Sequence, residues 1–537
     1  MPDFSCDPGL PGVPTSPWLA STLEGDDADD FHETDLRDGA DDGDSDRVAD
    51  AGEPQLEGIE SADVAVIGAG IAGLSTAIEL RERGQSVVVL ERDRVATGVT
   101  GKSTAKLTSQ HGQIYDHLRS EFGPQAARRY GQLQERAIDT VEQRIEDLGI
   151  DAGFERVPSY LYGNDPGPLE REAKAAQAAG LEATYVTSVP PFERAEAAVR
   201  FDEQAWFHPR RYLCAIADEL RADEEATIYE RTRVTDLDPG QPNRVYTRDG
   251  VVHARQVVLA TGFPLLDRAG YFARMHPKRS YVLGLELEGP HPEGMYYRSG
   301  ENYRSVRSYR GDDGDLLLVG GENHKTGQGG STAQRYRRLL RWARERFSVD
   351  SVAYHWSTQD YVSADRVPLV GRAGPGTSTV YVATGFRGWG MTNGVAAGRL
   401  LARLCTGERP PAADLFRPLR FTPKPALGST ITENADVASQ FLTDWARALV
   451  SSSPPPLDPG EGQVVREGGT PVAYARDEDG QTHAVSAVCS HMACLVEWND
   501  AECSWDCPCH GSRFSPDGAV LEGPATDDLS DRDPPER

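Results

Sequence analysis

Residues 62–91 read ADVAVIGAGIAGLSTAIELRERGQSVVVLE, and this stretch restricts the fold more than any other. Residues 64–67 are a short apolar run that reads as a buried strand. Gly68, Gly70 and Gly73 follow as G-x-G-x-x-G and open a helix through Leu80. Residues 87–90 form a second strand, which ends in Glu91, eighteen residues past Gly73. The glycines allow a tight turn and the close approach of a pyrophosphate to the helix N-terminus, and the acid accepts from ribose hydroxyls. A bare glycine motif is a weak signal. Here strand, helix, second strand and acid stand together, which points to a parallel α/β unit that binds a dinucleotide. A second glycine-rich stretch, residues 371–376 (GRAGPG), contains proline, opens no helix and reads as a loop.

The other constraint lies near the C-terminus. Residues 489–514 read CSHMACLVEWNDAECSWDCPCHGSRF. Cys489 and His491 form a Cys-x-His pair, and Cys507 and His510 form a Cys-x-x-His pair. Two thiolates and two imidazoles split this way suit a two-iron, two-sulfur centre, with one iron on both Cys and the other on both His. The same four residues could hold zinc, although common zinc fingers group the two Cys and then the two His. A disulfide framework suits short secreted chains rather than 537 residues.

Each stretch resembles a known family. Residues 489–514 and the Gly523-Pro524-Ala525 turn are similar to the Rieske proteins of cytochrome bc complexes, over about the last 80 residues. That resemblance implies Cys489, His491, Cys507 and His510 as ligands of a Rieske 2Fe-2S cluster, with a Cys494–Cys509 disulfide clasping the two loops. High-potential members carry Tyr where Phe514 stands, whereas Ser512, which can also donate to sulfur, is retained.

Residues 97–106 (TGVTGKSTAK) resemble the loop of the D-amino-acid oxidase superfamily that crosses the FAD ribityl and phosphate groups. Residues 257–262 (VVLATG) and 380–392 (VYVATGFRGWGMT) agree with it. The resemblance covers about 60–405 and implies FAD rather than NAD. It places Thr100, Thr104, Val234, Thr261, Gly262, Gly385, Gly390, Met391 and Thr392 beside Gly68, Gly70, Gly73 and Glu91 as FAD contacts. Residues 271–284, 320–328 and 389–394 look like a bacterial and archaeal subgroup in which a Rieske domain follows.

The expected fold is therefore α/β (α+β): an FAD-binding Rossmann-type domain with a β-rich substrate domain, plus a small all-β Rieske domain. Residues 1–60 read as an acidic, largely disordered segment, with Ser16-Pro17-Trp18-Leu19 docked on the body. Residues 61–430 form the oxidoreductase domain: FAD binding at about 61–150, 200–265 and 356–405, and substrate at about 151–199 and 266–355. Residues 113–150 read as helix, with Ile138, Val141, Ile145 and Leu148 on the core side. Residues 431–457 form an amphipathic helix and linker, and 458–537 the Rieske domain, with a hairpin turn at Asp479-Gly480. Cys6, Cys214, Cys405 and Cys503 read as plain thiols.

A net charge of −28 argues against nucleic acid or anionic lipid as a partner. Only six of the 56 basic residues are lysine, a balance suited to high salt. No run of 18 apolar residues and no export signal is present, so the expected location is the cytoplasm, without a membrane span.

Flavins exchange two electrons or one, whereas a Rieske cluster takes one at a time. The expected activity is oxidation of an amine or amino-acid C–N bond, with electrons passing from flavin to cluster to an external protein or quinone. Arg279, Tyr281, Arg307, His324, Lys325 and Arg387 are candidates for holding the substrate. No general base is needed if the amine enters neutral. An electron-transfer reductase fed by NAD(P)H and a non-enzymatic redox sensor are the alternatives.

Overall fold

The structure, a computed structural model, describes residues 10–22, 55–300, 302–312, 314–420, 456–477 and 480–532. Its first sheet grows from the fingerprint. The Gly58–Ile67 strand pairs in parallel with Val87–Leu90 on one side and Gly250–Leu259 on the other. Ala226–Tyr229 and Val380–Thr384 extend this parallel run. Leu369–Arg372 adds an antiparallel edge, and the Val234–Asp238 and Asn243–Thr247 hairpin pairs onto Gly250–Leu259. Val87–Leu90 is buried throughout, as a central parallel strand under helices must be. The Ile71–Arg81 and Gly390–Cys405 helices lie against each other at glycine distance. A Cβ at Gly398 would sit 2.6 Å from the Ser75 carbonyl carbon.

The second sheet is mixed. It runs from Val349–Ser363 through Met275–Leu287, Gly314–His324, Arg304–Gly311, Met295–Arg298, Glu155–Gly163 and Ala197–Trp206 to Lys106–Leu107. The Ala333–Arg344 helix packs on it through Tyr336, Leu339 and Ala343. Two expected boundaries, 200 and 356, fall inside the Ala197–Trp206 and Val349–Ser363 strands. Both strands belong along their whole length to the second sheet, so the boundaries drawn inside them do not separate two layers.

Three local readings need correction. The 113–150 segment is two helices, Tyr115–Glu121 and Pro124–Leu148, parted at Gly123, whose φ is +86°. Proline at the first helical position starts the second one cleanly. Ile138 and Val141 are buried as expected, but Leu148, at the open end, is 40% exposed. Residues 58–60, assigned to the disordered segment, belong to the first strand, and Leu56 is buried in the core. Trp18 is fully buried on the Pro17–Ala20 helix, against Tyr309 and His208. The remainder of the acidic segment, the part of the expected helix and linker up to residue 455, and Asp479 lie outside the described residues.

The C-terminal part is all β. Gly462–Glu467, Thr470–Arg476 and Thr482–Ser486 form one antiparallel sheet. Glu497–Asn499, Ser504–Asp506, Arg513–Phe514 and Val520–Glu522 form another. Among the described residues no helix is long and apolar enough to cross a membrane.

Candidate active site and metal centre

A cavity of about 1560 Å³ runs between the two large sheets. The glycine turn forms one end. Gly68 has φ +103°, and a Cβ at Gly73 would lie 1.8 Å from the Gly68 carbonyl oxygen, so turn and helix interlock only without side chains. Glu91 accepts from Ala69 N at 2.6 Å and Asp93 N at 3.1 Å. Burial, aided by Asp93, pushes its carboxyl up to about 7. Thr100 Oγ1 accepts from Ile71 N at 3.1 Å and fixes the 97–106 loop over the helix start.

That loop is also held from outside. Trp18 Nε1 donates to Ser103 O at 2.7 Å, Trp356 Nε1 donates to Lys102 O at 2.9 Å, and Ser16 Oγ donates to Gly101 O. Gly68, Gly70, Glu91, Thr100, Thr104, Val234, Thr261, Gly262, Gly390 and Met391 line the cavity. Gly73, Gly385 and Thr392 lie behind its wall: Gly385 packs on Ser363 and Met275, and Thr392 Oγ1 donates to Thr108 O at 2.7 Å. A long groove with a side-chain-free turn, a helix N-terminus and an acid fits FAD.

Of the six substrate candidates, only Arg387 lines the cavity. Arg279 points into the C-terminal part and pairs with Glu502. Tyr281 Oη and His324 Nε2 bond each other at 3.0 Å on the same side as Arg279. Arg307 donates to Ala105 O at 2.7 Å, between the Trp18 and Trp206 rings. Lys325 does not reach the cavity.

The neighbours one position away do. Lys278, Ser280 and Val282 alternate into the cavity from the Met275–Leu287 strand, joined by Tyr303, Asn323, Tyr297 and Trp389. Lys278 Nζ sits 5.4 Å from the Tyr303 ring centroid and donates to Asn323 Oδ1 at 3.1 Å once that amide is turned to face it. Burial, aided by Arg387, draws the Lys278 amine down to about 8. Arg387 stands at φ +63°, and burial with Arg366 nearby lowers its guanidinium to about 10.

In the C-terminal part, Cys489 and Cys507 are buried free thiols that hydrogen-bond to each other. Their hydrogen bond makes the first proton easier to lose and the second harder: Cys489 is drawn down to about 7, and Cys507 is pushed up. The backbone N–H groups of His491 and Met492 and the Ser512 hydroxyl donate to Cys489, and those of Cys509 and His510 to Cys507. Burial lowers both His491 and His510, the latter to about 4, which favours the neutral form that binds metal.

The His491 and His510 rings lie 5.1 Å apart, and His510 Nδ1 is buried without a hydrogen-bond partner. Cys494 and Cys509 form a disulfide. The sulfurs of Cys494, Cys507 and Cys509 also lie within 4.8 Å of one another, but two of these are spent in the disulfide. The free donor set is thus two thiols and two imidazoles, which fits a Rieske cluster. Cys503 is disulfide-bonded and is not the plain thiol expected.

Phe514 is fully buried in the apolar cluster that holds Cys489 and Cys507. A Phe514→Tyr hydroxyl aimed at sulfur adds one hydrogen bond. It is expected to raise the cluster midpoint by about 40 mV, taking about 1 kcal/mol per bond. A redox titration with an unmoved midpoint would refute this.

The two sites adjoin. Gln359 Nε2 donates to Gly511 O at 2.8 Å, Tyr361 Oη to Gly523 O at 3.1 Å, and Arg233 Nη2 to Thr526 O at 2.9 Å. Asp500 Oδ1 accepts from Thr332 N at 2.7 Å and Ala333 N at 3.1 Å, at the start of the Ala333–Arg344 helix. Residues 521–528 are part of the cavity wall.

A family model described as FAD dependent oxidoreductase matches residues 63–404, and one described as Rieske [2Fe-2S] domain matches 448–531. YhfW of Bacillus subtilis, named as a Rieske 2Fe-2S iron-sulfur protein, is 36% identical over 485 residues, covering 89% of this chain and 95% of its own. Gamma-glutamylputrescine oxidoreductase of Escherichia coli is 26% identical, covering 64% and 84%. Among solved structures, glycine oxidase of Geobacillus kaustophilus aligns with a TM-score of 0.56 at 19% identity, over 67% of this chain and 99% of that one.

Proposed function

The chain belongs to the FAD dependent oxidoreductase family and carries a Rieske [2Fe-2S] domain, and from that premise we propose that it oxidises an amine or amino-acid C–N bond and relays the electrons through the Rieske centre to an external acceptor. When bound, FAD accepts a hydride and the Rieske cluster accepts electrons singly. The observation that carries this reading is the shared wall: residues 521–528 of the cluster-bearing part close the cavity that holds the dinucleotide cradle. The amine in the name of the E. coli relative agrees with the substrate class.

Within the cavity, Arg387 holds a substrate carboxylate, and Tyr297, Tyr303 and Trp389 keep water from the reacting face. Lys278 takes the proton that an ammonium substrate must lose before its C–H bond can break. Cys489, His491, Cys507 and His510 hold the cluster, and the Cys494–Cys509 bridge ties its two loops.

Anaerobic screening of the holoprotein against amines and amino acids tests the proposal. The expected result is flavin bleaching followed by the spectrum of the reduced cluster. Bleaching by NADH or NADPH alone would favour a reductase instead.

Two side chains give expected outcomes with the substrate so found. Lys278 is protonated below about 8 and neutral above, so the bleaching rate is expected to rise with pH through that value. Lys278→Met removes that limb, and an unchanged profile would exclude Lys278 as the proton acceptor. Arg387→Leu is expected to raise the half-saturating concentration of a carboxylate substrate on the order of 10- to 100-fold, the loss of a charge-assisted hydrogen bond. An amine without a carboxylate should be little affected.

A further inference from the structure

On the Val349–Ser363 strand, Gln359 and Tyr361 lie two apart and share one face. Both line the cavity, and both are nearly fully buried, at 2% and 6% exposure. Both also reach the second cluster loop. Gln359 Nε2 donates to Gly511 O at 2.8 Å and to Tyr361 Oη at 3.3 Å. Tyr361 Oη donates to Gly523 O at 3.1 Å, with His510 O as a second acceptor at 3.4 Å.

On the other side, a Cβ at Gly262, in the nucleotide-binding turn, would lie 3.8 Å from the Tyr361 ring. Arg387 N, in the loop before the Gly390–Cys405 helix, donates to Tyr361 O at 3.0 Å. A second contact runs alongside: the Phe263 ring is 5.3 Å from Tyr361 and 6.1 Å from His491.

We propose that Gln359 and Tyr361 form the junction through which electrons cross from the flavin site to the His510 side of the cluster. This rests on the relay proposed above and names its route. With FAD and the cluster bound, each crossing would take one electron from the reduced flavin and turn one ferric iron of the cluster ferrous. Two crossings, with a one-electron acceptor emptying the cluster between them, clear the pair brought by one hydride. The flavin proton leaves to cavity water. Neither side chain changes oxidation state. Their packed, hydrogen-bonded path replaces what would be a gap, and its two ends are the cavity wall and the backbone of a cluster ligand.

The test uses the full-length holoprotein without oxygen. A laser flash with 5-deazariboflavin and EDTA puts an electron on the FAD, and bleaching of the cluster is then timed. Tyr361→Leu is expected to slow the crossing roughly tenfold, about 1.4 kcal/mol on its barrier, and Tyr361→Phe, which keeps the ring, to recover part of the rate. Gln359→Leu is expected to slow it as well and carries the test if Tyr361→Leu does not accumulate. Ser331→Ala, which removes an interface contact to Asp500 Oδ2 at 2.6 Å, is expected to leave the rate alone.

The cluster midpoint, its EPR spectrum and amide exchange over residues 507–514 are measured in parallel. Slowing with all three unchanged supports the junction. An unchanged rate overturns it. So does slowing that follows a moved midpoint or a loosened loop, because the residues would then only hold the loop in place. If the unaltered protein shows no crossing at all, the relay itself is wrong and the junction falls with it.

Discussion

Protein carrying Cys507→Ser is expected to purify with its flavin but without iron. Cys507 is one of two buried free thiols in the loop pair, and backbone N–H groups of Cys509 and His510 already aim at its sulfur. A hydroxyl there is a far weaker ligand for iron. The dinucleotide cradle lies on other strands and does not use this residue, so the flavin spectrum should persist. Substrate should still bleach it, and a one-electron acceptor should no longer restore the colour. Metal analysis and the visible spectrum decide the matter. Full iron content in the variant would refute Cys507 as a ligand, and zinc in place of iron in the unaltered protein would refute the cluster.

The second large effect is expected at Arg279. Its side chain is almost wholly buried and pairs with Glu502, with Glu522 at 4.0 Å. Arg513, fully buried, shares both acids, at 2.6 and 3.3 Å, and pairs with Asp506 at 3.0 Å. Three carboxylates thus stand around two guanidinium groups at the seam between the second sheet and the C-terminal part. Removing one cation leaves Glu502 and Glu522, only 17% and 20% exposed, with Arg513 alone to share. Arg279→Ala is expected to cost about 3–5 kcal/mol of stability. Amide exchange at residues 502–513 should rise more than in the glycine turn. An unfolding transition and exchange pattern like those of the unaltered protein would show that the seam is held elsewhere.

What was legible in the sequence was local. The strand, turn, helix and acid around Gly68 sit within thirty residues, and each link has its own signal, so the first sheet could be read outward from them. The mixed Cys/His pairs were equally plain, because donor type and spacing are written in order. Trp18 stood out as an aromatic in a polar tail that had to be buried.

The substrate side chains were less legible. Arg279, Tyr281 and His324 lie on the right strands, but side chains of a strand alternate. Lys278, Ser280 and Asn323, one place away, face the cavity instead. A one-residue slip in face moves every candidate on those strands to the other side. The alternation in HPKRSYV could have raised Lys278, but nothing local says which face meets the flavin. The pairing of Arg279 with Glu502 is a contact of long sequence separation, to which single-chain patterns are blind.

Because residues 521–528 complete the wall of the nucleotide groove, that groove has an open flank until those residues have been translated. Domains emerge from the ribosome N-terminus first, so the nascent Gly68 turn can form while the flank is still missing. The turn that receives the pyrophosphate is therefore made before the flank that closes over it.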